Sequence, residues 1–106
     1  MMLVTAIVKP HALQDVRAGL DRLDVAGMTV SEAAGPAGRV RTLVHRGAVD
    51  EIHLAQKVRV EVVVEASVVE KVVDAVGNGA GDGTIWVVPV DTVVRVRTGE
   101  RGADAL

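Results

Sequence analysis

Hydrophobic positions along this chain fall into short strand-like runs and two stretches with helical spacing. Leu3 to Val8 is an apolar, β-branched run, and Lys9-Pro10 closes it because proline has no N–H to give to a ladder. Leu13, Val16, Leu20 and Leu23 then recur at helical spacing, with Asp15, Arg17, Asp21 and Arg22 on the other face, which predicts a helix from Ala12 to Leu23. After Gly27, Met28 to Ala33 reads as a second strand, and Val58 to Val64 as a third, alternating at first and then wholly apolar. Ser67-Val68-Val69-Glu70 has the form of a capping box, with Ser67 as N-cap and Glu70 reaching back. Val69, Val72, Val73 and Val76 mark one face of a second helix, and Gly77-Asn78-Gly79 reads as its stop. Thr84 to Val90 and Thr92 to Val96 predict strands interrupted at Pro89, and Thr98 to Leu106 forms a polar tail.

The order is strand, helix, strand, long loop, strand, helix, strand. Two βαβ units in tandem predict an α+β, ferredoxin-like fold: a four-stranded antiparallel sheet with both helices on one face, in a single domain over residues 1–106. Valine on both sides of the pleat calls for a cover on the second sheet face, which another subunit can supply. From Gly35 to Gln56 the regular pattern is lost. Gly35-Pro36-Ala37-Gly38 is turn chemistry, and Arg39, Arg41, His45, Arg46, Asp50, Glu51 and His53 make the stretch polar. A loop of about 20 residues is uncommon in a compact domain and is usually functional.

Composition narrows the function classes. The hydrophobic fraction of 49% and charged fraction of 25% are those of a compact globular chain. With no Phe or Tyr and one Trp, the core must come from Val, Leu, Ile and Ala, and oligomerisation is a common way for so short a chain to bury more surface. A formal net charge of −2 gives no support to nucleic-acid binding. The absence of cysteine excludes disulfides and thiolate chemistry. The first residues carry no basic leader and no apolar run reaches a membrane span, so a cytoplasmic protein without membrane insertion is expected.

Candidate chemistry is sparse. Arg95 and Arg97 are two apart on the predicted last strand and so share a face, an arrangement that attracts phosphate oxygens. On spacing alone, a solvated sheet edge paired with Glu61 or Glu65 is the simpler reading. Gly81-Asp82-Gly83 can present backbone N–H groups to a phosphate, or be a plain turn. His11, His45 and His53 are scattered, so no metal site is expected. Trp86 reads as core or interface packing. No Ser-His-Asp set or useful carboxylate pair stands out, and no enzymatic activity is expected.

Taken in order, the segments resemble the PII signal transduction proteins of nitrogen regulation. Val4-Thr5-Ala6-Ile7-Val8-Lys9-Pro10 resembles their opening strand and Gly27-Met28-Thr29-Val30-Ser31-Glu32 their second. Arg46-Gly47-Ala48 resembles the return limb of their T-loop, and Lys57-Val58-Arg59-Val60-Glu61-Val62-Val63-Val64 their third strand. Gly81-Asp82-Gly83, Ile85-Trp86-Val87 and Val94-Arg95-Val96-Arg97-Thr98-Gly99-Glu100 resemble their B-loop and the strand leading to their C-loop. The resemblance implies a T-loop over about 35–56, a B-loop over about 77–84 and a C-terminal loop over 98–106.

It further implies a homotrimer with nucleotide clefts between subunits, where ATP or ADP acts as regulatory ligand and 2-oxoglutarate joins Mg-ATP. A T-loop carrying Arg39, Arg41, His45, Arg46, Asp50 and Glu51 would dock onto a protein target such as a transporter or a metabolic enzyme. Carried over residue by residue, Ile7, Gly27, Met28, Thr29, Gly35, Glu61 and Val63 match positions around the adenosine. Gly81, Asp82 and Gly83 match the loop beneath the phosphates, and Arg95 and Arg97 match two phosphate-reaching arginines. The departures are specific. There is no tyrosine for uridylylation, and Gly38-Arg39-Val40-Arg41 stands where the family has a magnesium-ligating glutamine. The second helix and B-loop are shortened, and Thr84 replaces the phosphate-binding lysine. These losses support an alternative: a divergent sensor of another small anion, without a 2-oxoglutarate response. A ferredoxin-like enzyme such as an acylphosphatase needs an arginine cradle after the first strand and a catalytic asparagine. Lys9-Pro10-His11 stands at that loop, and Asn78 is the single asparagine.

Overall fold

In a computed structural model, residues 1–25, 27–36, 44–45, 48–49 and 54–106 are described. The sheet is built from β1 (Met2–Val8), β2 (Thr29–Pro36), β3 (Leu54–Val64) and β4 (Thr84–Pro89), in the order β2-β3-β1-β4. All three pairings are antiparallel. Helices α1 (Leu13–Arg22) and α2 (Val69–Ala80) fill the two crossovers. This is the ferredoxin-like double βαβ arrangement expected from the pattern.

The register assigns every strand residue to a face. Val4, Ala6 and Val8 of β1 stand opposite Val62, Val60 and Val58 of β3. With Val64, Val16, Leu20, Val72 and Val76 they form the buried core between sheet and helices. As the composition requires, this core is aliphatic, and valine suits it because β-branched side chains pack well on a pleated surface. The opposite face carries Leu3, Ile7 and Val63, half-buried, with Trp86 at 40% and Val88 at 41% exposure. An apolar face of this kind is a mark of an interaction surface.

Four expectations about element limits are corrected. The long loop is shorter than 35–56 at both ends. Gly35 and Pro36 pair with Ala55 and Leu54, because the antiparallel ladder continues wherever two backbones run side by side. Ser67 caps nothing: it lies in a 3-10 turn, Ala66–Val68, and α2 starts after Val68 with no side-chain cap. The turn satisfies the Val68 N–H through the Glu65 carbonyl at 3.1 Å. The second helix runs through Gly77-Asn78-Gly79 to Ala80 and stops at Gly81, whose φ of 70° is left-handed.

The last correction concerns Thr92 to Val96, which is not a sheet strand. Pro89 ends β4, and the chain folds into a hairpin held by Arg95 N–H to Glu100 O at 2.9 Å, Gly102 N–H to Val93 O at 3.0 Å and a single bridge between Val94 and Arg101. Gly99 at φ 75° and Gly102 at φ 67° make that reversal possible. Of the T-loop residues, Arg39, Arg41, Arg46, Asp50 and Glu51 lie outside the described residues. His45 falls in a two-residue backbone ladder that pairs Val44–His45 with Ala48–Val49. Among the described residues, no helix is long and apolar enough to cross a membrane.

Candidate functional site

β1 ends at Val8, and the turn after α2 returns beside it. Gly81 closes the helix with its N–H on the Gly77 carbonyl at 2.9 Å. Asp82 Oδ1 then accepts the N–H of the next residue, Gly83, at 2.8 Å. Gly83 has φ 125° and its α-carbon faces the Ile7 carbonyl so closely that any Cβ would overlap it. Glycine is therefore required, both for the backbone angle and for the close approach to β1. Ile7 is in turn registered with Arg59 on β3 and Thr84 on β4.

These elements surround a cleft of about 280 Å³ lined by Ile7, Val8, Lys9, Gly35, Pro36, Lys57, Asp82, Gly83 and Thr84. Two cations and one anion stand at it. Lys9 Nζ is 3.5 Å from Asp82 Oδ2. The Lys57 stem lies along Gly35, where a Cβ would stand 3.5 Å from its Cγ and 3.7 Å from its Cε. The Gly83 N–H, then Lys9, and to a smaller extent Lys57 hold the Asp82 carboxyl below the ordinary aspartate value. The Lys9–Asp82 pair is largely exposed, so its contribution to folding is small.

The cleft brings together Ile7, Gly35, Asp82 and Gly83 from the predicted set, with Gly81 at the adjoining turn. Within one chain it does not include the others. Glu61 and Val63 share the open face but sit farther along β3, opposite Thr5 and Leu3. Thr29 is opposite Glu61 at the start of β2, after Gly27. Met28 packs on the helix side, beside Leu13 and Val30. Arg95 and Arg97 do not share a strand face. Arg95 Nη2 donates to the main-chain oxygens of Leu106 at 3.0 Å and Ala105 at 3.4 Å, and Arg97 is exposed in the hairpin turn.

The sequence reading missed Lys9 and Lys57. A usable signal for Lys57 was present: it shares strand parity with Glu61 and Val63, which were selected. Lys9 carried no periodic signal, because it lies just past the end of β1. Among the described residues no group of three His, Asp or Glu side chains converges as a metal site would require. Chemically the cleft can take an anion: two ammonium groups offer charge and donors, and among the described residues no nucleophile–base pair accompanies them.

Comparison with known proteins bears on the chain as a whole. The family model described as Nitrogen regulatory protein P-II matches residues 1–100. The chain is similar to the nitrogen regulatory protein P-II of Azospirillum brasilense, 42% identical over 113 residues with all of both chains covered. It is similar at 40% to that of a Synechocystis species and at 41% to that of Rhizobium meliloti, again with full coverage of both chains. The aligned length exceeds this chain's 106 residues, so the alignments contain positions this chain lacks.

Proposed function

The chain belongs to the nitrogen regulatory protein P-II family, and from that membership we propose that it is a homotrimeric regulator that binds adenine nucleotides and acts on a protein target through its T-loop. Signal transduction regulation is the family's role, and regulators of this kind are not enzymes. The observation that carries the nucleotide reading is the cationic cleft, where Lys9 and Lys57 flank the glycine turn at Asp82 and Gly83. ATP or ADP is the regulatory ligand in this reading, and no resident cofactor is needed.

The trimer gives the remaining site residues a role. Gly27, Thr29, Arg95 and Arg97 lie outside the cleft of their own chain, which fits a site completed by a neighbouring subunit. The apolar face of Leu3, Ile7, Val63, Trp86 and Val88 is the surface a neighbour would cover. Light scattering at micromolar concentration should give the mass of three chains. Trp86, the sole aromatic residue, should shift its emission to shorter wavelength on assembly. A stable monomer would refute the trimer.

Calorimetric titration with ATP, ADP, AMP and cyclic AMP, with and without 2-oxoglutarate, tests the ligand. Replacing a charge-assisted phosphate donor costs about 1.5–3 kcal/mol, roughly tenfold or more in affinity. Lys57→Met, Arg95→Ala and Arg97→Ala should each weaken ATP or ADP binding by that order, and parental affinity in all three would remove the phosphate reading.

2-Oxoglutarate should bind poorly or not at all. Its chelation in the family uses a magnesium ligated by a glutamine, and Arg39, Val40 and Arg41 occupy that stretch without a side-chain oxygen. Micromolar, magnesium-dependent binding in the presence of ATP would overturn this expectation. The second reading, a sensor of a different small anion, is favoured by one observation: Thr84 lines the cleft where the family's lysine would stand.

A further inference from the structure

We propose that Asp82 acts as an internal competitor for the anion of the cleft, holding Lys9 in an ion pair that a ligand must displace before both lysines can reach it. The proposal rests on the nucleotide reading above and concerns how that site is tuned.

The geometry is specific to three side chains. Lys9 Nζ faces Asp82 Oδ2 at 3.5 Å, and both residues line the same cleft as Lys57. Among the described residues, Lys57 makes no ion pair, whereas Lys9 does. An entering anion therefore meets one uncommitted ammonium and one that is already neutralised. It also meets the Asp82 carboxylate as a like charge at the cleft wall.

Asp82 cannot swing away without loss, because its other oxygen accepts the Gly83 N–H at 2.8 Å. The carboxylate is thus fixed at the turn while Lys9, on a flexible stem, is the mobile partner. A ligand with enough negative charge exchanges Asp82 for itself as the Lys9 partner, and one with less charge leaves the pair closed. The turn then discriminates by ligand charge as well as by shape. The pair is exposed, so the effect is modest and salt-sensitive.

The experiment is a thermodynamic cycle of four proteins, the parent, Asp82→Asn, Lys9→Met and the double variant, titrated with ATP and separately with inorganic tripolyphosphate. Asp82→Asn keeps an oxygen acceptor for the Gly83 N–H and removes the charge. It should tighten tripolyphosphate binding by about threefold or more at low salt, and the gain should vanish in the Lys9→Met background. Asp82→Ser serves as a second charge-free variant that also retains a short oxygen acceptor, guarding against a disturbed turn. Unchanged or weaker binding by both Asp82 variants, or a gain that persists without Lys9, overturns the proposal while leaving the nucleotide reading in place. Failure of the parent and all variants to bind either probe removes the nucleotide reading and this proposal with it. A ligand-free readout accompanies the cycle: the Asp82 carboxyl, followed by NMR, should titrate higher in Lys9→Met than in the parent. An unmoved titration means the pair does not form in solution.

Discussion

Gly83→Ala is expected to lower the stability of the protein by about 3 kcal/mol and to abolish anion binding at the cleft. Two costs combine. A side chain at φ 125° is strained by about 1–3 kcal/mol, and the added Cβ would overlap the Ile7 carbonyl oxygen, a backbone atom that cannot rotate aside. Relief requires the turn to move off β1, which breaks the pairing of Ile7 with Thr84 and opens the cleft wall. Chemical denaturation at matched protein concentration measures the loss, and the nucleotide titration measures the cleft. A variant within about 0.5 kcal/mol of the parent would show that the turn is not pressed against β1.

The second large effect is a difference between two neighbouring glycines of α2. Gly77→Ala should stabilise by about 0.5–1 kcal/mol, because the position is helical and, beyond the helix's own nearby backbone, no atom of the described residues lies within 4 Å of the new Cβ. Gly79→Ala gains the same helix propensity, but its Cβ would stand 2.8 Å from the Asp15 carbonyl carbon and the Val16 nitrogen. The helices must separate, at a cost of about 1–3 kcal/mol or more from overpacking. The two variants, made two residues apart in one helix, should differ by about 2 kcal/mol in urea unfolding. Equal stabilities would mean that α1 and α2 do not touch at this point.

That contrast also explains one misreading of the sequence. Two glycines around an asparagine read as a helix stop, since glycine and asparagine commonly end helices. In the fold, Gly79 is a point of close approach between the α2 and α1 backbones, inside a helix that continues to Ala80. Only the chain's three-dimensional path reveals that a residue without a side chain is needed for closeness rather than for termination.

The periodic information was legible. Spacing of two in Val58–Val64 and of four in Val16–Leu20 and Val72–Val76 reports which side of an element is buried, and that suffices for element order and the double βαβ architecture. The glycine turn at Gly81-Asp82-Gly83 and its neighbours Ile7 and Gly35 were legible as a resemblance to a family. The pairing of Arg95 and Arg97 on one strand face was not real, because Pro89 ends β4 and Gly99 and Gly102 turn the remainder into a hairpin. Lys9 and Lys57 escaped notice because they lie 48 positions apart in a numbering that carries no distance information. What the sequence by itself determined is the set of faces, since burial follows local periodicity. The tertiary structure alone decided which residues share a cleft, because that depends on strand register and close backbone approach, and neither leaves a periodic trace in the chain.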